Sequence, residues 1–204
     1  MIQTNIKSKT KQNILELSGA LFATFGYDGV SMRDVAAATG ITPAGLYYYF
    51  PDKEHLYLEA VEHEFKEKTA KLVIVLNSIS SPWVRLELFI TNLAHLSAKD
   101  GNFLRLMQWV RLDSDEVRQQ KLAEHVFKDL FVAIRDLVAK LDSRYDAHML
   151  AMSIFGMVAF SFEAGLLRKL MPGHHPEHDN PEMVAEHVIE LLRTGLSRPD
   201  ENAC

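Results

Sequence analysis

Residues 31–50 read SMRDVAAATGITPAGLYYYF and contain the signals of two short helices joined by a turn. Ser31 followed three positions later by Asp34 is the pattern of a capping box, which starts a helix. Thr42 followed by a proline starts a second helix, because the hydroxyl accepts a backbone N–H and the proline lacks a donor that would stay unpaired there. Between them, Gly40 tolerates the positive φ that a sharp corner between helices needs. The stretch therefore predicts a helix-turn-helix.

Helix signals continue to the end of the chain, and no alternating pattern indicates a series of strands. Thr10 is the expected N-cap of the first helix, and a proline preceded by a polar residue starts later helices at 82 and 181. The apolar spacing predicts helices at about 52–76, 82–99, 102–111, 116–141, 145–170 and 181–196. We expect an all-α protein with a three-helix domain at 1–57. A larger helical domain is expected at 58–204.

Composition and charge restrict the cellular setting. The chain has 204 residues and a net charge of −5, but residues 1–55 are neutral and begin with a basic arm of Lys7, Lys9 and Lys11. No apolar run follows that arm as in a signal peptide, and the longest uncharged apolar stretch, 149–162, is too short to cross a bilayer. The single cysteine, Cys204, cannot form an internal disulfide. We expect a cytoplasmic protein that does not bind membranes.

The N-terminal part resembles the TetR/AcrR family of bacterial regulators. The features that carry the resemblance are the run ILELSGALFATFGYDGVSMRDVAAATGIT and the following GLYYYFPDKEHL, within residues 11–56. The resemblance implies a homodimer that binds a palindromic operator in double-stranded DNA, with each recognition helix in a major groove. It also implies that residues 1–57 bind DNA and that residues 58–204 bind a small effector and dimerise. The expected mode is repression, relieved when the effector binds. Beyond residue 60 the resemblance is one of architecture only.

The resemblance also implies which residues meet DNA. Those that would contact phosphates are Thr42, Tyr47 and Lys53, and those nearest the base edges are Arg33, Pro43, Ala44, Gly45, Tyr48 and Tyr49. Gly45 stands where many members carry Thr or Ser, so one hydroxyl contact is missing.

The chemistry of these residues fits the same roles. Three successive tyrosines cannot all be buried on a helix, and a guanidinium is the side chain that pairs with guanine through two hydrogen bonds. Two alternatives stay open, in which Tyr47 and Lys53 are solvated surface groups and Arg33 pairs with Asp34.

A predominantly apolar effector pocket is expected between the helices at 102–111, 116–141 and 145–170. Methionine and aromatic side chains adapt to apolar ligands, and this part is rich in both. The expected lining is Phe103, Met107, Trp109, Phe127, Phe131, Met152, Phe155, Phe162 and Glu163. Because few charges are available, we expect a neutral or weakly cationic ligand. As alternatives, the apolar side chains simply fill the core, and Glu163 pairs with Arg168 or forms an interface hydrogen bond.

Helices 145–170 and 181–196 carry more apolar surface than one core needs. Such surplus normally marks an interface, so we expect the two helices to pair with their symmetry mates as a four-helix bundle. The side chains concerned are Ile154, Met157, Val158, Leu166, Val184, Val188, Leu191 and Leu192.

Metal and enzyme chemistry have weaker support. His174, His175 and His178 near two carboxylates could ligate zinc, but the segment has no cysteine and two prolines, so a solvated loop is expected. No metal and no cofactor is predicted. The motifs of phosphate loops, dinucleotide sites, zinc proteases and thiol redox sites are absent, so we expect no enzyme. The alternatives are a helical enzyme without a motif, an architectural DNA binder without an effector, and an activator in place of a repressor.

Overall fold

The computed structural model of the chain describes residues 2–196, and their side chains from residue 10 onward. All regular structure in this range is helical, which confirms the all-α prediction. The helices are α1 (Ile2–Phe25), α2 (Met32–Thr39), α3 (Pro43–Tyr49), α4 (Lys53–Leu76), α5 (Pro82–Lys99), α6 (Gly101–Leu112), α7 (Glu116–Leu122), α8 (Lys128–Val138), α9 (Ala147–Glu163), α10 (Gly165–Leu170) and α11 (Pro181–Leu196). Cys204 and the side chains of Lys7 and Lys9 lie outside the described residues.

The predicted capping residues start their helices. The Ser31 N–H donates to the Asp34 carboxylate at 2.8 Å, and the Asp34 N–H donates back to the Ser31 hydroxyl at 3.2 Å. The hydroxyls of Thr42 and Ser81 accept backbone N–H groups at the starts of α3 and α5. The side-chain oxygen of Asn180 accepts the Glu182 N–H at 2.8 Å before α11.

Three helix boundaries differ from the prediction. Thr10 lies inside α1 and does not start it, because residues 2–9 contain neither glycine nor proline to stop the helix. The helix expected at 145–170 is interrupted at Ala164, between α9 and α10. The helix expected at 116–141 ends at Val138, and a π-helical turn, Ala123–Phe127, separates α7 from α8.

The chain forms two compact units that interleave in sequence. Unit 1 contains the residues up to Lys68 together with Gly101–Lys128, and unit 2 contains Thr69–Asp100 together with the residues from Asp129 onward. This division by packing differs from the functional division at 57/58, which stays a prediction. The division by packing arises because α6 packs against α1, although the two helices are far apart in sequence.

Each unit has its own apolar core. In unit 1 the rings of Phe22 and Tyr57 meet edge to face at 4.9 Å between centroids, and Phe50 is fully buried. In unit 2, α5 packs against α9 and α11, with Phe89 and Ile154 fully buried. Among residues 2–196, no helix has the length and apolar character needed to span a membrane.

Candidate nucleic-acid interface

The corner between α2 and α3 has the geometry that the sequence predicts. Gly40 adopts φ +70°, and its N–H donates to the carbonyls of the last turn of α2. The Ile41 N–H donates to the Ala36 carbonyl at 3.1 Å, which closes the turn. Leu46 and Val35 are fully buried. The two helices are therefore fixed to each other, and the remaining faces of α3 point away from this core.

The tyrosine run of α3 is largely exposed. Tyr47 is 52% exposed and Tyr48 is 69% exposed, whereas Tyr49 is half-buried and meets the Tyr48 ring edge to face at 5.3 Å. Pro43 and Ala44 are also exposed.

Two residues at the start of α3 contact each other. The Thr42 hydroxyl oxygen accepts the Gly45 N–H at 3.1 Å, so its own O–H is left to donate to a phosphate. Gly45 itself is half-buried, and a Cβ atom built there would lie 3.3 Å from the Thr42 hydroxyl oxygen.

Arg33, Tyr47 and Lys53 line one groove of about 570 Å³ beside α3. Asp34 lines it too, but its carboxylate accepts hydrogen bonds from the Ser31 hydroxyl and N–H, which lower the pKa of Asp34. That carboxylate is therefore engaged in the helix cap and not by Arg33. The groove brings together a guanidinium, a phenol and an ammonium, which are groups that contact phosphates and base edges in DNA complexes.

Lys53 is held in place and is not a freely solvated side chain. Its ammonium donates to the Tyr27 carbonyl oxygen at 3.0 Å and lies 4.1 Å from the centroid of the Tyr27 ring. An ammonium has three N–H donors, so two remain for other partners.

The residues predicted to line an effector pocket divide between the two units. In unit 1, the rings of Phe103 and Phe127 lie 6.5 and 4.9 Å from the ring of Phe65, and Met107 is buried. Trp109 packs against the turn after α1, since a Cβ atom built on Gly26 would lie 2.9 Å from its ring.

In unit 2, the Phe155 ring lies 6.5 Å from Phe131 and 5.6 Å from Phe89, whereas Met152 is exposed. Phe162 and Glu163 are half-buried. The predicted lining is therefore two aromatic clusters in two units, and its role in effector binding stays a prediction.

Sequence reasoning missed a cavity of about 560 Å³ in unit 2, between α9, α10 and α11. Its lining includes Met157, Ser161, Arg168, His174, His178, Met183 and His187. Arg168 forms an ion pair with Asp179, and His174 lies 3.3 Å from the same carboxylate. Lys169 also contacts Asp179 and contributes most to lowering its pKa. Across the described side chains, no group of three or more His, Cys, Asp or Glu is arranged to hold a metal ion.

Comparisons with known proteins agree with this geometry. Residues 14–60 match the family model of the bacterial regulatory proteins of the tetR family. The HTH-type transcriptional repressor KstR of Rhodococcus jostii is 35% identical over 65 residues, which are 32% of this chain and 31% of KstR. The chain thus aligns with about a third of the length of this curated relative.

Two solved structures share the fold over most of the chain. The transcriptional regulator FadR from Bacillus subtilis, in complex with stearoyl-CoA, has a TM-score of 0.74 at 18% identity, and 90% of this chain and 97% of FadR are covered. AibR, in complex with isovaleryl coenzyme A and operator DNA, has a TM-score of 0.70 at 20% identity, with 89% and 97% covered. At such identities the likeness concerns the fold alone. The helix-turn-helix domain of the chain, residues 14–60, therefore matches the tetR family of bacterial regulatory proteins, and the helical C-terminal domain shares the fold of the two solved regulators.

Proposed function

We propose that the protein is a transcriptional repressor that binds a palindromic operator as a homodimer and leaves it when a small effector binds. The observation that carries the DNA-binding part is the groove in which Arg33, Tyr47 and Lys53 meet beside the exposed face of α3. AibR, which has a similar fold, was solved with operator DNA. In this proposal, Tyr47 and Lys53 contact phosphates and Arg33 contacts a base.

The proposed roles predict different effects for three variants. Lys53→Ala and Tyr47→Phe should weaken binding equally on all DNA sequences, whereas Arg33→Ala should also relax base preference. Loss of the Lys53 phosphate contact should flatten the dependence of log affinity on log salt by about 0.9. Binding to duplexes from a randomised pool, measured at several salt concentrations, tests both effects. An unchanged slope and affinity for Lys53→Ala would remove its assignment.

Exposed apolar side chains on α9, α10 and α11 support the homodimer. Five residues predicted for the interface are instead buried in the core of unit 2. They are Ile154, Val158, Val184, Val188 and Leu192. The exposed apolar residues on the same helices are Met149, Met152, Phe160, Leu166, Leu167, Leu170, Met183 and Leu191. Exposed apolar surface of this kind is unfavourable in water unless a partner covers it.

Light scattering on charged variants tests the dimer. Phe160, 68% exposed, is the first target, and Phe160→Glu should convert a dimer to a monomer because a carboxylate would be buried without a partner. Leu112→Glu, at an exposed site on α6, is the matched control and should leave the mass unchanged. A monomeric mass for the unmodified protein contradicts the dimer and, with it, binding to two half-sites about 34–36 Å apart.

For the effector we propose a neutral or weakly cationic apolar molecule bound by the aromatic side chains around Phe65 or Phe155. The aromatic clusters support this, since their rings offer apolar walls to a ligand. The structural neighbours FadR and AibR were instead solved with acyl-CoA molecules, which are multiply charged anions. Thermal shifts with uncharged apolar compounds and with acyl-CoAs separate the two classes. Stabilisation and DNA release by acyl-CoAs alone would overturn the proposed ligand charge.

A further inference from the structure

Arg118, on α7, is a charged residue with an unusually buried side chain, only 9% exposed. Its guanidinium forms a two-bond ion pair with Asp113, from Nε to Oδ2 and from Nη2 to Oδ1. Asp115 adds a second carboxylate at 3.4 Å. The paired geometry keeps Arg118 protonated and lowers the pKa of Asp113. Arg118 is therefore fixed in position, since moving it would leave a buried charge without its partner.

The fixed guanidinium of Arg118 lies on the Tyr27 ring, with its central carbon 3.8 Å from the ring centroid. The Tyr27 ring also meets Tyr57 edge to face at 5.0 Å. A cation over an aromatic face is attracted to it, and more strongly where water is excluded. The side chain of Tyr27 is thus held by a residue 91 positions further along the chain.

The same tyrosine holds Lys53, through its backbone carbonyl and its ring. Two cations near one ring would repel each other, but the charge of Arg118 is neutralised by Asp113. The contacts therefore run from Asp113 through Arg118 and Tyr27 to Lys53. All four residues belong to unit 1.

A second contact fixes the same turn. Trp109, on α6, packs against Gly26, the residue before Tyr27. The segment of α6 and α7 thus contacts two adjacent residues of the turn after α1, Gly26 through Trp109 and Tyr27 through Arg118.

We infer that Arg118 is a positioning residue for DNA binding, which orients Lys53 toward a phosphate through the ring and carbonyl of Tyr27. The inference rests on the proposed DNA-binding function. Arg118 itself needs no contact with DNA, because its donors are engaged by Asp113 and its flat face by Tyr27. Its removal should free Tyr27 and let the Lys53 ammonium sample positions that do not face the phosphate.

The test uses the full-length protein, a mixed-sequence DNA duplex of fixed length and a series of salt concentrations, because phosphate contacts do not depend on sequence. We expect Arg118→Met to lower affinity about tenfold, the effect of losing one charge-assisted hydrogen bond. The salt slope should flatten by about 0.9, as for Lys53→Ala. The double variant, Arg118→Met combined with Lys53→Ala, should bind no more than about twofold more weakly than Lys53→Ala alone, because both changes remove the same contact.

Controls separate positioning from charge and from folding. Arg135→Met removes an exposed arginine paired with Asp136 and should leave affinity and slope unchanged. Arg118→Lys keeps the positive charge but lacks the planar group, so it should still flatten the slope. A thermal melt checks folding, and Arg118→Lys decides the case if Arg118→Met does not fold.

Two outcomes overturn the inference, and a third concerns the proposed function. The inference is overturned if the folded Arg118 variants bind DNA with unchanged affinity and salt slope. It is also overturned if the losses of affinity from the two substitutions multiply in the double variant. If Lys53→Ala itself has no effect, the phosphate role of Lys53 fails. If Lys53→Ala weakens binding and the Arg118 variants do not, only the positioning role fails.

Discussion

Alanine at Gly26 and at Gly40 should destabilise unit 1 by different amounts, although the φ angles of the two residues are nearly identical. Gly26 has φ +71° and Gly40 has φ +70°. An alanine in the left-handed region costs about 1–2 kcal/mol at either site. Around Gly40 no atom lies within 4 Å of an added Cβ, so this strain is the whole cost. At Gly26 the Cβ would lie 2.9 Å from the Trp109 ring, and overpacking of that kind adds about 1–3 kcal/mol.

Urea unfolding of the two variants measures the difference. We expect Gly40→Ala to lower the free energy of unfolding by about 1–2 kcal/mol and Gly26→Ala by about 2–5 kcal/mol. Combining Gly26→Ala with Trp109→Leu should recover part of the extra loss, because the smaller side chain leaves room for the methyl group. Equal losses for the two alanine variants, or no recovery with Trp109→Leu, would refute the packing of Trp109 on the turn.

Further expected outcomes concern single side chains. Burial raises the pKa of Tyr57 above its ordinary 10.0, so the stability that this phenol contributes is present below pH 10 and is lost as the pH rises further. Tyr57→Phe should therefore make the stability less dependent on pH in alkaline titrations followed by circular dichroism. Leu46→Ala, at a fully buried site, should cost about 2–5 kcal/mol in urea unfolding, against at most about 0.5 for Leu112→Ala at an exposed site. Asp146→Ala removes the cap of α9, where the carboxylate accepts the Met149 N–H at 2.8 Å, and should cost about 1 kcal/mol in the same assay.

The parts of the fold that were predictable are those determined by neighbours in sequence. The capping box at Ser31, the turn at Gly40 and the cap at Thr42 each involve partners within four positions or a local φ angle. Such signals act before any tertiary contact forms, so one sequence is enough to identify them. The end of α9 at Ala164 was missed although Gly165, with φ +48°, follows it, because a single glycine inside a long apolar pattern does not by itself end a helix.

The parts that were not predictable depend on contacts between distant residues. Arg118 lies on a short helix among polar residues and gives no sign of burial, which arises only because Asp113 and Tyr27 surround it in the fold. Trp109 was predicted to line a ligand pocket. In the structure its ring packs against Gly26, which is distant in sequence. The periodicity of a helix gives the face that is buried, but not the element that buries it.

The arrangement of unit 1 bears on how an effector could change DNA affinity. One route is α4, because Lys53 is its first residue. In unit 1, α6 and α7 also contact the turn that holds Lys53, through Trp109 and Arg118. To change operator occupancy tenfold, a ligand must favour the non-binding conformation by about 1.4 kcal/mol. A shift of α7 that separates Arg118 from Tyr27 loses their cation–π attraction, about 0.5–2 kcal/mol, so a ligand that drives this shift must supply that free energy in addition.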